Sequence, residues 1–153
     1  IAEWLDEQMC ENYIVEVGGE IRAKGVNARG IAWRVGVDSP FDNNNTPGKF
    51  QQRVVQISGA SLATSGNYRN FRIENGKKYA HTIDPRTGYP VQHSLLSATV
   101  IAENCAKADA YATSFMVMGL EKAIDQCKKD SIEAFFIYSS TDGALQTYAT
   151  EGF

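Results

Sequence analysis

The sequence predicts an α+β fold, a mostly antiparallel sheet with hairpins and three helices. Short segments that alternate in polarity or are rich in β-branched residues are joined mostly by tight turns, and hairpin connections require antiparallel neighbours. The clearest turn is Asn75-Gly76, a pair that supplies the two positive φ angles of a type I′ hairpin. Three longer segments have the apolar patterns or end residues of helices. Because no internal repeat or linker divides the 153 residues, we expect one domain.

Local signals predict the individual elements. A helix opens the chain, because four apolar residues among the first nine have helical spacing. Asn104 caps a second helix that runs to Met118 and ends at Gly119, and residues 120–129 form a third, amphipathic helix. Residues 38–49 form a polar loop rich in Asn, Pro and Gly. The predicted strands are 13–17, 20–24, 31–37, 54–58, 61–64, 68–74, 77–83, 95–102, 132–138 and 144–149.

Composition excludes several classes of protein. With 43% hydrophobic and 22% charged residues, the chain lies in the globular range rather than the disordered one. No apolar run approaches the roughly 20 residues of a membrane-spanning helix. The net charge of −3 argues against a nucleic-acid partner bound by phosphate neutralisation. Cys10, Cys105 and Cys127 form neither a disulfide framework nor a zinc motif.

The densest group of chemically active side chains lies in residues 81–90. His81, Asp84, Arg86 and Thr87 occur within seven positions, and the segment also contains Pro85, Gly88 and Pro90, which restrict its backbone. A rigid loop at a strand end is a good support for preorganised hydrogen-bond donors. An ordinary turn that begins at Asp84-Pro85 explains the composition equally well.

The second predicted helix carries a carboxylate and a hydroxyl on one face. Asp109 and Thr113 are four positions apart, and these oxygen ligands suit Mg²⁺, which takes few protein ligands. The helix is apolar nearly all round, so we expect it, and Asp109 with it, to be buried. The alternative is an Asp109 paired with a basic residue and a Thr113 bonded to a backbone carbonyl.

Two glycine-containing segments complete the candidates. Gly18-Gly19 at a strand end would let a ligand approach the backbone beside Glu20, although a plain turn has the same pattern. Residues 58–69 are rich in hydroxyls and glycine and can cradle phosphate, but they lack the lysine of a Walker loop. His93 is assigned no role.

Taken in order, these segments resemble the C-terminal part of the ApbE family, the FAD:protein FMN transferases once called thiamine-biosynthesis lipoproteins. The most specific strings are His-Thr-Ile-Asp-Pro-Arg-Thr-Gly-Tyr-Pro at 81–90 and Asp-Ala-Tyr-Ala-Thr at 109–113. The resemblance covers essentially the whole chain but only about the second half of a typical member. It therefore implies that residues 1–153 are the C-terminal part of an ApbE-like domain. The five matching segments are 17–22, 32–37, 63–69, 81–90 and 109–113.

The resemblance implies a Mg²⁺-dependent reaction in which FMN passes from FAD to a Ser or Thr hydroxyl of a target flavoprotein, with release of AMP. Asp109 and Thr113 match metal-binding positions, and Asp109 is also expected to be catalytic. His81 matches a catalytic histidine that also contacts the cofactor, either as a general base or as a phosphate ligand. The other expected FAD-binding residues are Glu20, Ile83, Asp84, Thr87 and Gly88.

The family's upstream segments, which supply further flavin contacts and another metal ligand, are absent from this sequence. The expected partners are therefore FAD, an acceptor flavoprotein and the N-terminal half of the protein. The uncapped helix at Ile1 fits a piece of a longer chain, although a mature terminus is the alternative. A cell-envelope or periplasmic location, with a lipid anchor in the full-length protein, follows from the resemblance alone. The alternative functions are an FAD pyrophosphatase and a non-catalytic flavin-binding fragment.

Overall fold

A computed structural model describes residues 1–40, 51–67, 71–74 and 77–153. Within these ranges the helices are α1 (Ala2–Glu7), α2 (Cys105–Met118) and α3 (Leu120–Asp130). None of the helices in these ranges combines the length and apolar character needed to cross a membrane. The strands are β1 (Tyr13–Val17), β2 (Glu20–Lys24), β3 (Trp33–Asp38), β4 (Gln51–Ile57), β5 (Ala60–Gly66), β6 (Phe71–Glu74), β7 (Lys77–Ala80), β8 (Ile83–Asp84), β9 (Tyr89–Pro90), β10 (Leu95–Ala102), β11 (Glu133–Ser139) and β12 (Leu145–Ala149).

A six-stranded sheet in the order β1-β2-β5-β10-β11-β12 forms the centre of the described fold. Every neighbouring pair in this sheet is antiparallel, as the hairpin connections predict. Helices α2 and α3 cover one face, and the two-stranded β3–β4 ribbon covers the other. The predicted α+β fold with a mostly antiparallel sheet is therefore confirmed.

The core on the helix side fixes the position of α2. Phe115 of α2 and Phe136 of β11 are fully buried, and their rings meet edge to face with centroids 5.5 Å apart. Ala108 and Ala112 are also fully buried, because a small side chain lets the helix approach the sheet closely. Asn104 caps the first turn by accepting a hydrogen bond from the backbone N–H of Lys107 (2.9 Å). The predicted bounds and cap of this helix are confirmed.

The ribbon-side core anchors the β3–β4 ribbon. Alternate residues of the ribbon point inward, as a strand with one buried face requires. They pack against the opposite side of β2, β5 and β11 from the helices. The buried members of this cluster are Ala23, Val35, Val37, Val55, Ile57, Leu62, Phe135 and Ile137.

The sheet has a notch beside β5. Strand β5 pairs with β10 from Ser61 to Gly66, but it pairs with β2 only from Ala60 to Leu62. The β1–β2 hairpin turns at Gly18-Gly19, so the last residues of β5 extend past that turn. The notch has α2 on one side and the β3–β4 ribbon on the other.

Most element predictions agree with the structure within a few residues. Strands β1, β2 and β10 have the predicted bounds, whereas β3 begins two residues later and β4 three residues earlier than expected. The two-residue strands β8 and β9 were not predicted separately. The Asn75-Gly76 turn lies outside the described residues, although its flanking strands pair with Glu74 opposite Lys77. The loop prediction from 41 to 49 also lies outside them. The three cysteines are free thiols.

Candidate active site

A cavity of about 680 Å³ occupies the notch beside β5. It is bordered by the β1–β2 turn, the last residues of β5, one face of α2, the outer edge of the β3–β4 ribbon and the segment that follows β7. Apolar side chains form part of its wall and polar side chains converge on the rest, as in sites that bind small organic ligands. The apolar lining residues are Ile14, Ile21, Val35, Val37, Leu62 and Met116.

Asp109 and Thr113 project from one face of α2 into this cavity. Both side chains are exposed, so the expectation that Asp109 is buried is wrong. The buried face of α2 contains Ala108, Ala112, Phe115 and Met116. The apolar residues of α2 that are exposed are the alanines Ala106 and Ala110, whose small side chains tolerate exposure, so an apolar composition did not imply burial all round. The Oγ1 of Thr113 lies 3.0 Å from the Oγ of Ser65 in β5.

The glycine pair forms the turn between β1 and β2. Val17 is opposite Glu20, and the two central residues have φ angles of +70° at Gly18 and +111° at Gly19. A two-residue hairpin of this kind requires glycine-like backbone angles, so the turn alone explains the pair. The turn nevertheless lines the cavity together with Glu20. A Cβ built at Gly18 would lie 3.1 Å from the Oε2 of Glu20, whereas one built at Gly19 would meet nothing within 4 Å.

His81 and Thr82 reach the cavity from the end of β7. His81 is exposed. Thr82 is held in place because its Oγ1 donates a hydrogen bond to the Oδ1 of Asn67, at 2.7 Å. The cavity therefore unites His81 with Glu20 from the β1–β2 hairpin and with Asp109 and Thr113 from α2, two other parts of the sequence.

The remaining predicted site residues do not line the cavity. The Asp84 carboxylate accepts hydrogen bonds from the backbone N–H and the guanidinium of Arg86. These bonds lower the pKa of Asp84 to about 2. The Asp84 carbonyl also accepts hydrogen bonds from the backbone N–H groups of Thr87 and Gly88, so the segment closes as a turn on itself. Ile83 is exposed outside the cavity. Roles of these four predicted residues toward FAD stay predictions.

Sequence reasoning missed one wall of the cavity. The outer edge of the β3–β4 ribbon contributes Arg34, Asp38 and Gln51, and Glu16 joins them from β1. The available signal was the alternation along β3, which puts Arg34 and Asp38 on one face of the strand and Val35 and Val37 on the other. Strand periodicity shows which residues face outward, but it does not show whether that face contacts a ligand. These residues are also far in sequence from the α2 residues.

The cavity lining carries a negative net charge. Among the described residues that line it, four are carboxylates and one is a guanidinium. An anionic phosphate ligand would be repelled by this arrangement unless a cation came with it. The carboxylates are Glu16, Glu20, Asp38 and Asp109, and the guanidinium is that of Arg34.

The donor set on α2 fits a hard divalent cation. A carboxylate and a hydroxyl four positions apart on a helix offer oxygen ligands on one face. No group of three or more His, Cys, Asp or Glu side chains suited to a metal occurs within the described ranges. A carboxylate and a hydroxyl are oxygen donors that suit Mg²⁺, which uses one or two protein carboxylates and completes its shell with water and substrate phosphate, whereas transition metals favour imidazole and thiolate ligands.

Comparison with known proteins relates this geometry to one family. The ApbE family model matches residues 1–136. The FAD:protein FMN transferase of Haemophilus influenzae is 39% identical over 153 residues, which are 100% of this chain and 43% of that protein. The Vibrio cholerae protein of the same name is 37% identical over 153 residues, 100% of this chain and 44% of that protein. The chain thus spans less than half the length of these curated relatives.

Solved structures agree with the sequence comparison. The apo form of the flavinyl transferase ApbE from Pseudomonas stutzeri superposes with a TM-score of 0.83 at 33% identity, covering 99% of this chain and 45% of that one. The flavin transferase ApbE from Vibrio cholerae superposes with a TM-score of 0.78 at 37% identity, covering 99% of this chain and 46% of that one. The fold described above is therefore found, at substantial sequence identity, within these larger proteins.

Proposed function

The chain belongs to the ApbE family, and from this premise we propose that its full-length protein transfers FMN from FAD to a Ser or Thr hydroxyl of a target flavoprotein. The relatives that match the chain over its whole length are named FAD:protein FMN transferases. We further propose that the reaction depends on Mg²⁺ and releases AMP. Residues 1–153 would supply one part of the catalytic domain, and the N-terminal part would complete the site.

One observation carries this proposal: a single cavity unites the motifs that resemble the family's site. Asp109 and Thr113 on α2, Glu20 at the hairpin turn and His81 after β7 all line it. These residues are separated by up to 93 positions, so their convergence does not follow from local sequence. A cavity with an apolar wall and convergent oxygen and nitrogen groups suits a ligand with a flat ring and a charged pyrophosphate.

The electrostatics of the cavity support a metal-dependent reaction. A pyrophosphate brings further negative charge to a lining with four carboxylates and one guanidinium. Asp109 and Thr113 would hold Mg²⁺, which when bound would neutralise phosphate charge and favour attack at phosphorus. Phosphoryl transfer depends mainly on the positioning of the reacting groups and on the stabilisation of charge. Both require side chains that are held in place by rigid elements of the fold. Helix α2 is such a support, because Phe115 and Met116 anchor it in the core.

His81 is the candidate for proton transfer. In the proposed step the acceptor hydroxyl oxygen forms a bond to the phosphorus of the FMN half, while the bond from that phosphorus to the bridging oxygen breaks. The bridging oxygen leaves with AMP. The hydroxyl proton passes to the imidazole of His81, which lines the cavity and can act as a general base. Glu20 lines the cavity beside Gly19, where a Cβ would meet nothing within 4 Å, and in this proposal it would accept a hydrogen bond from FAD.

The test measures both products of the reaction. Full-length protein is incubated with Mg²⁺, FAD and an acceptor that the Vibrio cholerae relative modifies. Denaturing gels report covalent flavin fluorescence on the acceptor, and chromatography reports AMP. The proposal predicts that flavin-labelled acceptor and AMP form in equal amounts, and that little AMP forms when the acceptor is left out. AMP released at the same rate without acceptor would instead indicate an FAD pyrophosphatase. FAD binding with neither product would indicate a non-catalytic flavin-binding protein.

A further inference from the structure

Ser65 is a cavity residue to which the proposed reaction assigns no role of its own. It lies near the end of β5, and its Oγ is 3.0 Å from the Oγ1 of Thr113. We propose that Ser65 is a positioning residue that orients the Thr113 hydroxyl so that its oxygen can bind a divalent cation. This inference rests on the proposed function, because it assumes that Thr113 is a metal ligand.

The direction of the Thr113 hydroxyl proton decides whether the oxygen can bind a cation. A threonine hydroxyl has one proton and two lone pairs, and the proton rotates to suit its surroundings. An oxygen that binds a cation must direct a lone pair at it and its proton away from it. Ser65 Oγ is an acceptor at hydrogen-bond distance, so Thr113 would donate to Ser65 whenever a cation is bound. Partners of this kind orient metal ligands and raise their affinity.

Both members of the pair are held on rigid backbone. Ser65 is paired with Ala98 of β10, one position before the last pair of the β5–β10 ladder. Thr113 lies in the centre of α2, next to the fully buried Ala112 that packs the helix against the sheet. Neither hydroxyl depends on a loop for its position. The contact is therefore preformed rather than made only when a ligand arrives, which is what a positioning role requires.

The same strand offers a matched control on its other face. The Oγ1 atoms of Thr64 and Thr99 form an equivalent hydroxyl–hydroxyl hydrogen bond at 2.8 Å. Thr99 is fully buried, belongs to β10 and is not among the residues that line the cavity. Its partner Thr64 does line the cavity, so this pair also joins a cavity hydroxyl to a neighbouring residue. Thr99→Val removes the hydroxyl of that neighbouring residue with almost no change in shape. It should leave cation binding unaltered if the effect of Ser65 is specific to Thr113.

The experiment measures Mg²⁺ affinity directly in the full-length protein. Isothermal titration with Mg²⁺ gives Kd for the wild type, Ser65→Ala, Ser65→Thr and Thr99→Val. Loss of a residue that orients a metal ligand typically weakens metal affinity by about 10- to 100-fold, so Ser65→Ala should raise Kd by about 10-fold or more. Ser65→Thr keeps a hydroxyl and should restore most of the affinity. The Mg²⁺ concentration for half-maximal turnover should shift with Kd, and saturating Mg²⁺ should recover turnover.

Four further outcomes test this inference separately from the proposed function. If Thr113→Val weakens Mg²⁺ binding and Ser65→Ala does not, the positioning role is overturned and the metal assignment stands. If neither variant changes Mg²⁺ affinity, or the wild type binds no Mg²⁺, the inference and the metal assignment both fail. If the Kd shifts occur in a protein that transfers no FMN, the Ser65 inference is supported and the proposed reaction is refuted. Reduced turnover of Ser65→Ala at saturating Mg²⁺ with an unchanged Kd also overturns the inference.

Discussion

Replacing Gly119 with alanine should destabilise the end of helix α2, the helix that holds Asp109 and Thr113. Gly119 has φ +81° and ψ 169°, a region that is essentially restricted to glycine and costs about 1–3 kcal/mol for other residues. A Cβ at this position would also lie 3.2 Å from the Cδ2 of His93. The Nε2 of His93 donates a hydrogen bond to the Met116 carbonyl in the last turn of α2, at 2.8 Å. Displacing the ring would forfeit this bond, worth about 0.5–1.5 kcal/mol.

The two terms together predict a loss of about 2–4 kcal/mol for Gly119→Ala. Gly143 is the matched control, because its φ is +85° and a Cβ there would meet nothing within 4 Å. Gly143→Ala should therefore cost only the backbone strain, about 1–2 kcal/mol. Urea unfolding followed by circular dichroism measures both losses. In a protein that also carries His93→Ala, the loss of unfolding free energy caused by Gly119→Ala should come closer to that caused by Gly143→Ala. Equal losses at the two glycines would refute the reasoning about the His93 contact.

Three further predictions concern the fold and the turn beside the site. Phe136→Ala should cost about 3–5 kcal/mol in urea unfolding, because Phe136 is fully buried against Phe115; a loss below about 1 kcal/mol would contradict that packing. Asn104→Ala should cost about 1 kcal/mol through loss of the α2 cap, whereas Asn104→Asp should retain stability. Since Arg86 lowers the pKa of Asp84 to about 2 in the folded state, this carboxylate stabilises the protein above its unfolded pKa near 4 and ceases to do so as pH falls through 2. The melting-temperature advantage of wild type over Asp84→Asn should therefore shrink between pH 4 and pH 2, and an advantage independent of pH would exclude the ion pair as its cause.

Elements with strong local signals could be predicted nearly to the residue. Helix α2 begins after a capping Asn104 and ends at Gly119, and both residues act through backbone geometry that depends little on the rest of the fold. Strands β1 and β2 are joined by two glycines with positive φ. This turn determines where β1 ends and where β2 begins. The pairing of β5 with β10 carries no comparable signal, because it joins segments about 35 positions apart.

The site was only partly predictable, because contacts between segments that are distant in sequence carry no local signal. The motifs identified Glu20, His81, Asp109 and Thr113, which the fold brings to one cavity. The exposure of Asp109 was missed, because an alanine-rich helix face has an apolar composition whether or not another element covers it. The position of Arg34 depends on how the β3–β4 ribbon packs on the sheet, and strand alternation alone does not specify that packing.

In the proposed reaction, Asp109 on α2 supports a metal-dependent transfer of FMN. The most direct measurement is covalent flavin fluorescence on the acceptor after incubation of the full-length protein with FAD and increasing Mg²⁺. Asp109→Asn is compared with Asp125→Asn, which removes another exposed carboxylate, from α3 and outside the cavity. Wild type and Asp125→Asn should label the acceptor in a Mg²⁺-dependent manner, and Asp109→Asn should not label it. Labelling by Asp109→Asn at the wild-type rate and with the wild-type Mg²⁺ dependence would contradict this role of Asp109.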